Sequence, residues 1–414
     1  MAKIKPFFGV RPAADKIKEV ASPPYDVLNS SEAREQVKGN PNSFLHVVKP
    51  EVDLPEDIDV YDEKVYQKGR DNLYKMLNDK ILIQDEEPCF YLYRLVMGSI
   101  DQIGLVAGAS IEDYETGKIK KHEHTRANKE ADRIKHVDTL NANTGPVFLT
   151  YRARKDINII VNEILKENPL YDFKTDDGIK HIFWKIDQQN DIDKIEKIFA
   201  DIDFLYVADG HHRSASATKV GQIRRAANHD HKGTEEYNVF LSVIFPDEQL
   251  YIMDYNRVVK DLNGNSVEEF LDKVKEKFIV EEFSKTNSYK PDKMHTFGMY
   301  FDKTWYKITP KKGTFDENDP VNSLDVAILQ NNLLTPILDI GDPRKDERID
   351  FVGGIRGLDE LSKRVDAGEA VAFSMFPTTI KQLMAIADAG KVMPPKSTWF
   401  EPKLRSGIIT HLLD

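Results

Sequence analysis

Residues 204–227 read FLYVADGHHRSASATKVGQIRRAA, and this stretch contains the clearest fold signal in the chain. The apolar run from Phe204 to Ala208 has the character of a buried strand. Gly210, directly after Asp209, permits a tight turn because glycine adopts backbone angles that side chains exclude. The run of small residues that follows predicts a helix. A strand, a turn and a helix in direct succession favour an α/β fold with mixed sheets.

The first turn of the predicted helix carries three basic side chains, at His211, His212 and Arg213. Free backbone N–H groups and the positive end of the helix dipole make this position a ready site for an anion. Basic residues oppose that dipole, and a bound phosphate would resolve the conflict. We therefore expect the segment from Gly210 to Ser214 to bind a phosphate group. A capped helix with two incidental histidines is the plain alternative.

A second polar cluster, HEHTR, occupies residues 122–126. On an extended backbone His122 and His124 share one face, and Glu123 points to the other. A pair of histidines spaced in this way can bind a metal ion. Equally, Glu123 can act as a general base while the histidines position a substrate. A solvated polar strand end is the third interpretation, because charged residues surround the cluster on both sides.

Two proline-rich segments are further candidates for the walls of a site. In residues 22–26, SPPYD, the prolines pre-order the chain, so that Asp26 can face a ligand. Residues 393–407, MPPKSTWFEPKLRSG, form either an ordered strap over another domain or a loop that carries Lys396 and Ser397 towards a phosphate. An ordinary surface turn is the plain structural explanation of the SPPYD segment.

The composition indicates a soluble, cytoplasmic protein. The 414 residues include 58 Lys and Arg against 69 Asp and Glu, a formal charge of −11. Such an acidic chain disfavours nucleic acid as a partner, because polyanion binding needs excess positive charge. The single cysteine, Cys89, excludes a disulfide framework and CxxC metal or redox motifs. The chain lacks an N-terminal apolar signal region and any run of about 18 apolar residues, so no membrane partner is expected.

The chain has no repeat of fixed period and no low-complexity linker, and we expect three interlocking α/β parts. Residues 1–88 form an N-terminal segment that lines the site, residues 89–262 contain the core with both polar clusters, and residues 263–414 form a C-terminal domain with the terminal strap. The common nucleotide motifs are missing, since the sequence contains no P-loop and no kinase-type glycine loop. A GxSxG elbow and an HExxH helix are missing too.

Taken together, the motifs resemble a bacterial family, domain-of-unknown-function family one thousand and fifteen. The similar segments are SPPYDV, EHTR, GPVFLTY, VADGHHR and MPPKSTWFEPKLRSG, and the resemblance extends from about Phe7 to Gly407. That family is related to the ParB/sulfiredoxin-like fold, which includes ADP- or ATP-dependent kinases of free L-serine. The resemblance therefore implies a ParB/sulfiredoxin-like nucleotide-binding core with additional N- and C-terminal α/β parts. It also implies a phosphotransferase that makes O-phosphoserine with ATP or ADP and Mg²⁺.

The resemblance further implies a role for each site residue. The segment from Gly210 to Ser214 would hold the nucleotide phosphates, and Asp209 would hold Mg²⁺ or orient the substrate. Glu123 would accept the proton of the serine hydroxyl. Glu123, Thr125 and Arg133 resemble a Glu–x–Thr segment that is followed by an arginine in those serine kinases. We expect Arg126 or Arg133 to hold the carboxylate of free serine, and Asp26 to hold its ammonium group. The oligomeric state is left open.

Two other functions remain open at this point. A metal-dependent hydrolase would use Glu123 as the base, with ligands from His122, His124 and the DGHH residues. A non-catalytic regulator would bind nucleotide as a switch. Such a regulator is expected to carry a basic DNA-contacting helix, but no basic helical segment stands out beyond Arg224-Arg225.

Overall fold

The structure is a computed structural model that describes residues 2–414. Contacts group the chain into two compact units. The first runs to Leu250 and takes in Pro402–Asp414, and the second is Tyr251–Glu401. This grouping places the predicted parts 1–88 and most of 89–262 in one unit, together with the C-terminal residues. The division into three domains stays a prediction.

The first unit combines strands from both ends of the chain with helices of varied length. Its strands are β1 (Ile4–Lys5), β2 (Gly9–Pro12), β3 (Leu82–Gln84), β4 (Phe90–Met97), β5 (Ile100–Ser110), β6 (Ile119–Lys120), β7 (Ala142–Asn143), β8 (Val147–Tyr151), β9 (Tyr171–Lys174), β10 (Lys180–Ile186), β11 (Leu205–Asp209), β12 (Val239–Pro246) and β21 (Thr410–Leu412). Its α-helices are α1 (Ile17–Val20), α2 (Ser30–Val37), α3 (Leu45–Val48), α4 (Glu63–Asn78), α5 (Ile111–Glu115), α6 (Ala127–Leu140), α7 (Lys155–Ile164), α8 (Gln189–Phe199) and α9 (His211–Ala227).

A mixed sheet forms the centre of the first unit and sets the position of the candidate site. Its strand order is β6-β11-β8-β12-β5-β4-β10-β9, and β1 pairs with β5 beside this path. The pairs β6–β11 and β8–β12 are parallel, whereas the long hairpin β4–β5 is antiparallel. Strand β6 is therefore an edge strand, and the strand that leads into the DGHHR turn is its neighbour.

Helices α7 and α8 cover this sheet with apolar side chains. Ile157 and Ile164 of α7 and Ile192, Ile195 and Phe199 of α8 are buried in the same core as the sheet residues. Their spacing of three, four or seven positions puts them on one face of each helix. Removal of this apolar surface from water stabilises the unit by about 25 cal/mol per Å².

A second, smaller sheet joins the two ends of the chain, with the order β3-β2-β21-β7. Strand β21 lies between β2 and β7, so its backbone groups are paired on both sides. Val10 of β2 packs with Leu73 of α4 and Leu140 of α6 in a separate apolar core. This pairing explains why the last residues of the chain belong to the first unit.

The second unit is also a mixture of strands and helices. Its strands are β13 (Ile252–Met253), β14 (Tyr255–Val259), β15 (Phe278–Ser284), β16 (Phe297–Phe301), β17 (Thr304–Pro310), β18 (Ile349–Gly353), β19 (Val371–Ser374) and β20 (Trp399–Phe400). Its helices are α10 (Val267–Lys277), α11 (Asp325–Leu329), a π-helical turn (Gln330–Leu334), α12 (Thr335–Leu338), α13 (Asp359–Asp366) and α14 (Ile380–Asp388). A sheet of order β15-β17-β16-β19-β14-β18 supports these helices.

Both units therefore combine helices with sheets, and the prediction of an α/β fold with mixed sheets is confirmed. Among the helices described for residues 2–414, none has the length and apolar character needed to cross a membrane.

Candidate functional site

The two polar clusters leave the large sheet at the same edge. Strands β6 and β11 are parallel, with Lys120 opposite Tyr206. The segments that follow these two strands therefore leave the sheet in the same direction. Residues 122–126 therefore follow β6 close to the point where the DGHHR turn follows β11. A register shift between Val207 and Asp209 marks a β-bulge, and such bulges re-aim the end of a strand.

Gly210 makes the turn from β11 to α9. Its φ is +96°, a left-handed conformation that residues with a side chain rarely adopt. A Cβ at this position would lie 3.1 Å from Nε of Arg213, so a side chain would also crowd the guanidinium. Helix α9 begins at His211, and no side chain of the described residues caps it. The backbone N–H groups of its first turn are therefore suited to an anion.

Asp209 belongs to a charged trio at the end of β11. Its Oδ2 accepts a hydrogen bond from Nζ of Lys403 at 3.1 Å and lies 3.8 Å from Nη2 of Arg213. Burial raises the pKa of the Asp209 carboxyl, but the two cations outweigh this effect and hold the pKa well below its usual range. Asp209 is thus an ionised partner of two basic groups.

This pairing does not fit the predicted Mg²⁺ at Asp209. Mg²⁺ binds oxygen ligands and usually keeps several waters. One of its two carboxylate oxygens, Oδ2, is already bonded to Lys403 and lies near Arg213, and these two positive charges repel a third. The surroundings of Asp209 therefore favour an ion-pair partner over a Mg²⁺ ligand.

His122, Glu123 and His211 converge between the two strand ends. Oε2 of Glu123 lies 4.0 Å from Nδ1 of His211. The rings of His122 and His211 meet edge to face, with centroids 4.4 Å apart. Both histidines are buried, whereas 42% of the Glu123 side chain is exposed. The residue predicted as the base is thus a direct neighbour of the turn predicted to hold phosphates.

The HEHTR segment differs in shape from its sequence prediction. An extended backbone would place His122 and His124 on one face and Glu123 on the other. Strand β6 instead ends at Lys120, and residues 121–126 form an irregular connection to α6. Because the connection bends, His122 and Glu123 approach His211 together, while His124 is exposed. His124 therefore stands outside the cluster expected for a metal-dependent hydrolase.

The three histidines around the turn are neutral. Burial lowers the pKa of His122 to about 4, lowers that of His211 well below its usual value, and also lowers that of His212. Arg213 stays charged, because Asp209 and other nearby negative charges outweigh the effect of burial on its pKa. Three positive charges at the start of α9 would oppose the helix dipole. Because the histidines are neutral, only Arg213 carries such a charge, and most of this conflict is absent.

His212 connects the two polar clusters. Its Nε2 accepts a hydrogen bond from the backbone N–H of Arg126 at 3.0 Å. Arg126 is the residue before the first turn of α6, so this bond fixes the start of α6 to the first turn of α9. The side chain of Arg126 is exposed. His212 therefore has a positioning contact that the sequence did not predict.

Thr125 and Ser214 use their hydroxyl groups locally. Oγ1 of Thr125 donates a hydrogen bond to Oε2 of Glu130, within the entry to α6. Oγ of Ser214 donates to the carbonyl of His211 at 3.1 Å, and the N–H of Ser214 donates to the carbonyl of Gly210. Ser214 thus supports the turn through both of these bonds, and its part in binding a phosphate stays a prediction.

A pocket beside the turn is lined by Arg133, Arg213 and Ser406, among other residues. Its empty space is about 460 Å³, which includes space open to solvent. The Arg133 guanidinium lies over the ring of Tyr25, 4.3 Å from its centroid, and Nε donates to Asp132 at 2.9 Å. Arg133 is therefore held in place by a stacked ring and a carboxylate.

Asp26, the neighbour of Tyr25 in the SPPYD loop, is exposed. Burial acts to lower the pKa values of His212 and Arg213, and the negative charge of Asp26 opposes it in both cases. Asp26 is thus close enough to the turn for its charge to act on His212 and Arg213, and its contact with a substrate stays a prediction.

Sequence reasoning missed Lys403 and Ser406, which the terminal segment contributes to the first unit. It pointed instead to Lys396 and Ser397, which belong to the second unit. There Nζ of Lys396 lies 5.5 Å from the ring centroid of Tyr255, and the Ser397 hydroxyl donates to a backbone carbonyl. The only sequence signal for Lys403 was its place in the EPKLRS segment. Nothing in that local pattern distinguishes Lys403 from a lysine exposed to solvent.

The fold and the site define an α/β protein with a polar site at the edge of a mixed sheet, beside an uncapped helix. A family described as "Protein of unknown function (DUF1015)" matches residues 4–327. This match covers more than half of the chain, and the chain therefore belongs to that family. The resemblance drawn from the motifs is confirmed. No curated protein matches the chain.

Several solved structures are similar to the chain at low identity. A free serine kinase in complex with AMP is 13% identical, with 74% of this chain and 89% of that chain covered and a TM-score of 0.35. A mutant free serine kinase in complex with ADP is 14% identical, with 75% and 87% covered and a TM-score of 0.36. SbnI with a C-terminal truncation, from Staphylococcus aureus, is 10% identical, with 72% and 84% covered and a TM-score of 0.37. Likenesses of this degree do not assign an activity.

Proposed function

We propose that the protein is a nucleotide-dependent phosphotransferase, a kinase of free L-serine that forms O-phosphoserine. The observation that carries the proposal is the 4.0 Å separation between Oε2 of Glu123 and Nδ1 of His211, which puts a carboxylate beside the first turn of an uncapped helix. Phosphoryl transfer needs such a combination, an anion cradle and a group that receives the proton of the nucleophile. The EHTR and DGHHR motifs, similar to those of free-serine kinases, support the same assignment.

The first turn of α9 is the proposed cradle for the terminal phosphates of ATP or ADP. Three backbone N–H groups, of His211, His212 and Arg213, lack intrahelical partners by their position in the helix. Nε of Arg213 is buried and has no hydrogen-bond partner within residues 2–414. A charged guanidinium with an open donor beside free backbone N–H groups suits a phosphate oxygen.

Glu123 is the proposed general base. Its carboxylate takes the hydroxyl proton while the serine oxygen forms its bond to the terminal phosphorus. The bond from that phosphorus to the bridging oxygen breaks, and its electron pair leaves with the nucleotide. The partly exposed side chain keeps the carboxylate accessible to a small substrate, and the neutral rings of His122 and His211 do not hold it as cationic partners.

The pocket beside the turn is the proposed place for the amino-acid acceptor. Arg133, fixed over the ring of Tyr25, presents a planar guanidinium that can pair with a carboxylate. Arg126 is the second candidate for this role. The negative charge of Asp26 acts on Arg213 in the turn. Asp26 is the proposed partner of the ammonium group of serine.

The test is transfer of phosphate from ATP and from ADP to serine, followed as formation of O-phosphoserine, with alanine as an acceptor that lacks the hydroxyl. With nucleotide saturating, Glu123→Gln is expected to lower the single-turnover rate by about 10²–10⁴-fold, the usual cost of losing a general base. Glu163→Gln is the matched control. Glu163 lies on α7 and forms an exposed ion pair with Lys166, which follows the end of that helix. This control is expected to keep the parent rate.

Three outcomes would change the assignment. A Glu123→Gln rate within about threefold of the parent rate would remove the role as base. Transfer to another hydroxyl compound, with serine inert, would replace the acceptor and keep the cradle. Nucleotide binding without transfer to any of a panel of hydroxyl compounds would favour the non-catalytic regulator.

A further inference from the structure

His122 and His211 present imidazole nitrogens without partners. Their exposed fractions are 2% and 5%. Neither ring nitrogen of His122, nor Nε2 of His211, makes a well-formed hydrogen bond to any part of the chain that the structure describes. Buried polar atoms in folded proteins are nearly always paired. Unpaired nitrogens on two touching buried rings therefore indicate a missing ligand, which would engage one nitrogen of each ring.

Glu123 completes a set of three donor groups around this point. One nitrogen of each ring and one carboxylate oxygen of Glu123 all lie within 4.8 Å of one another. Bonds of about 2.0–2.2 Å from a tetrahedral Zn²⁺ place neighbouring ligand atoms about 3.3–3.5 Å apart. The 4.0 Å between Oε2 of Glu123 and Nδ1 of His211, and the other separations of up to 4.8 Å, would therefore have to close by about 0.5–1.5 Å through side-chain rotation.

The donor types select the kind of ion. Two imidazoles and one carboxylate suit Zn²⁺ and the other divalent ions of the first transition row, whereas Mg²⁺ prefers oxygen donors throughout. The side of the set that Glu123 occupies is open to solvent, since 42% of its side chain is exposed. Three protein ligands with an open position are typical of catalytic or exchangeable sites and not of closed structural ones.

We infer that His122, Glu123 and His211 bind one divalent transition-metal ion of the Zn²⁺ class, with at least one coordination position left to water. This site goes beyond the proposed kinase function and does not depend on it. Where both hold, the ion occupies the carboxylate that receives the serine proton, so the bound ion inhibits phosphoryl transfer.

The test is titration of the metal-free, folded protein with Co²⁺, whose visible absorption reports the ligand geometry, followed by competition with Zn²⁺. One ion per chain is expected. His122→Ala and His211→Ala are each expected to lower Co²⁺ affinity by at least about tenfold. Glu123→Gln is also expected to lower Co²⁺ affinity. Because the Glu123 side chain is partly exposed, this substitution should leave the protein folded. His229→Ala is the matched control, because His229 is exposed in a loop outside the cluster.

Absence of stoichiometric binding by the parent protein would overturn the inference. So would a Co²⁺ affinity that is equal in the parent and in Glu123→Gln, with both proteins shown to be folded by circular dichroism. The two proposals fail separately, since Co²⁺ binding without kinase activity counts against the proposed function alone. Kinase activity without ion binding counts against the metal site alone.

Discussion

Nζ of Lys403 donates a hydrogen bond to Oδ2 of Asp209 at 3.1 Å, across a separation of 194 residues in the sequence. The bond ties the terminal segment to the strand that enters the DGHHR turn. It also neutralises a carboxylate that would otherwise repel a phosphate at the first turn of α9. In the proposed function, phosphate binding at this turn therefore depends on a residue that lies far from the turn in the sequence.

Lys403→Met is expected to weaken nucleotide binding about tenfold, which corresponds to about 1.4 kcal/mol. The reason is that Asp209 then presents an uncompensated negative charge beside the phosphates. Isothermal titration with ATP and ADP measures the effect. Lys166→Met, which removes a lysine from an exposed pair with Glu163, is the control. An unchanged affinity in Lys403→Met would show that the ion pair has no part in the cradle.

Arg213→Ala is expected to weaken nucleotide binding more strongly than His212→Ala, because Arg213 is the residue of the turn that stays charged. A charge-assisted hydrogen bond to phosphate contributes about 1.5–3 kcal/mol, or roughly ten- to a hundredfold in affinity. Arg224→Ala is the control on the same helix, since Arg224 pairs with Asp138 away from the turn. Equal losses in the Arg213 and His212 variants would contradict the assignment of His212 as a neutral positioning residue.

Gly210→Ala is expected to destabilise the protein and to reduce nucleotide binding. The left-handed backbone costs a residue with a side chain about 1–2 kcal/mol, and the new Cβ would crowd Nε of Arg213 as well. Gly233→Ala isolates the first effect, because Gly233 has a φ of +83° with nothing within 4 Å of an added Cβ. Urea denaturation compares the two variants. Equal losses of stability would mean that crowding at Arg213 has no measurable cost.

A buried ion pair in the first unit predicts a pH dependence of stability. Asp85 accepts hydrogen bonds from Arg11 and Tyr91, and Nζ of Lys185 lies 3.3 Å from it. Burial raises the pKa of Asp85, but these partners outweigh it and lower the pKa below the usual value. Its contribution to the free energy of unfolding is therefore complete above the unfolded pKa of about 3.9. It is lost as the pH falls through the lower, folded value.

Asp85→Asn is expected to lower stability at neutral pH by about 1.5–3 kcal/mol, because the partly buried guanidinium of Arg11 loses its charged partner. The variant should also lose less stability than the parent when the pH falls below about 4. Urea denaturation over a pH series checks both statements. Asp172→Asn is the control, since Asp172 forms an exposed pair with Lys180. A parallel pH profile for Asp85→Asn and the parent would contradict the prediction.

The elements that follow local rules were predictable. The apolar run and Gly210 indicated a strand, a turn and a helix, and β11, the left-handed glycine and α9 are found there. Helix α4, Glu63–Asn78, follows a local rule as well, because its apolar residues repeat with the helical period. These patterns depend on residues only a few positions apart, so they can be recognised in the sequence without the structure.

The protonation of the site was not predictable in the same way. His211 and His212 read as basic residues in the sequence, but their charge depends on how completely the surrounding chain excludes water. The bend after β6 that turns Glu123 towards His211 follows from the pairing of β6 with β11, which links residues far apart in the chain.

The sequence by itself determined the α/β class, the strand–turn–helix unit of residues 204–227 and the identity of the two polar clusters. Only the tertiary structure decided that Glu123 meets His211, that His212 is a neutral acceptor for Arg126, and that Lys403 holds Asp209. The physical reason is the range of the interactions. Turn geometry and helical periodicity act over a few residues, whereas desolvation and ion pairing depend on which distant segments the fold packs together.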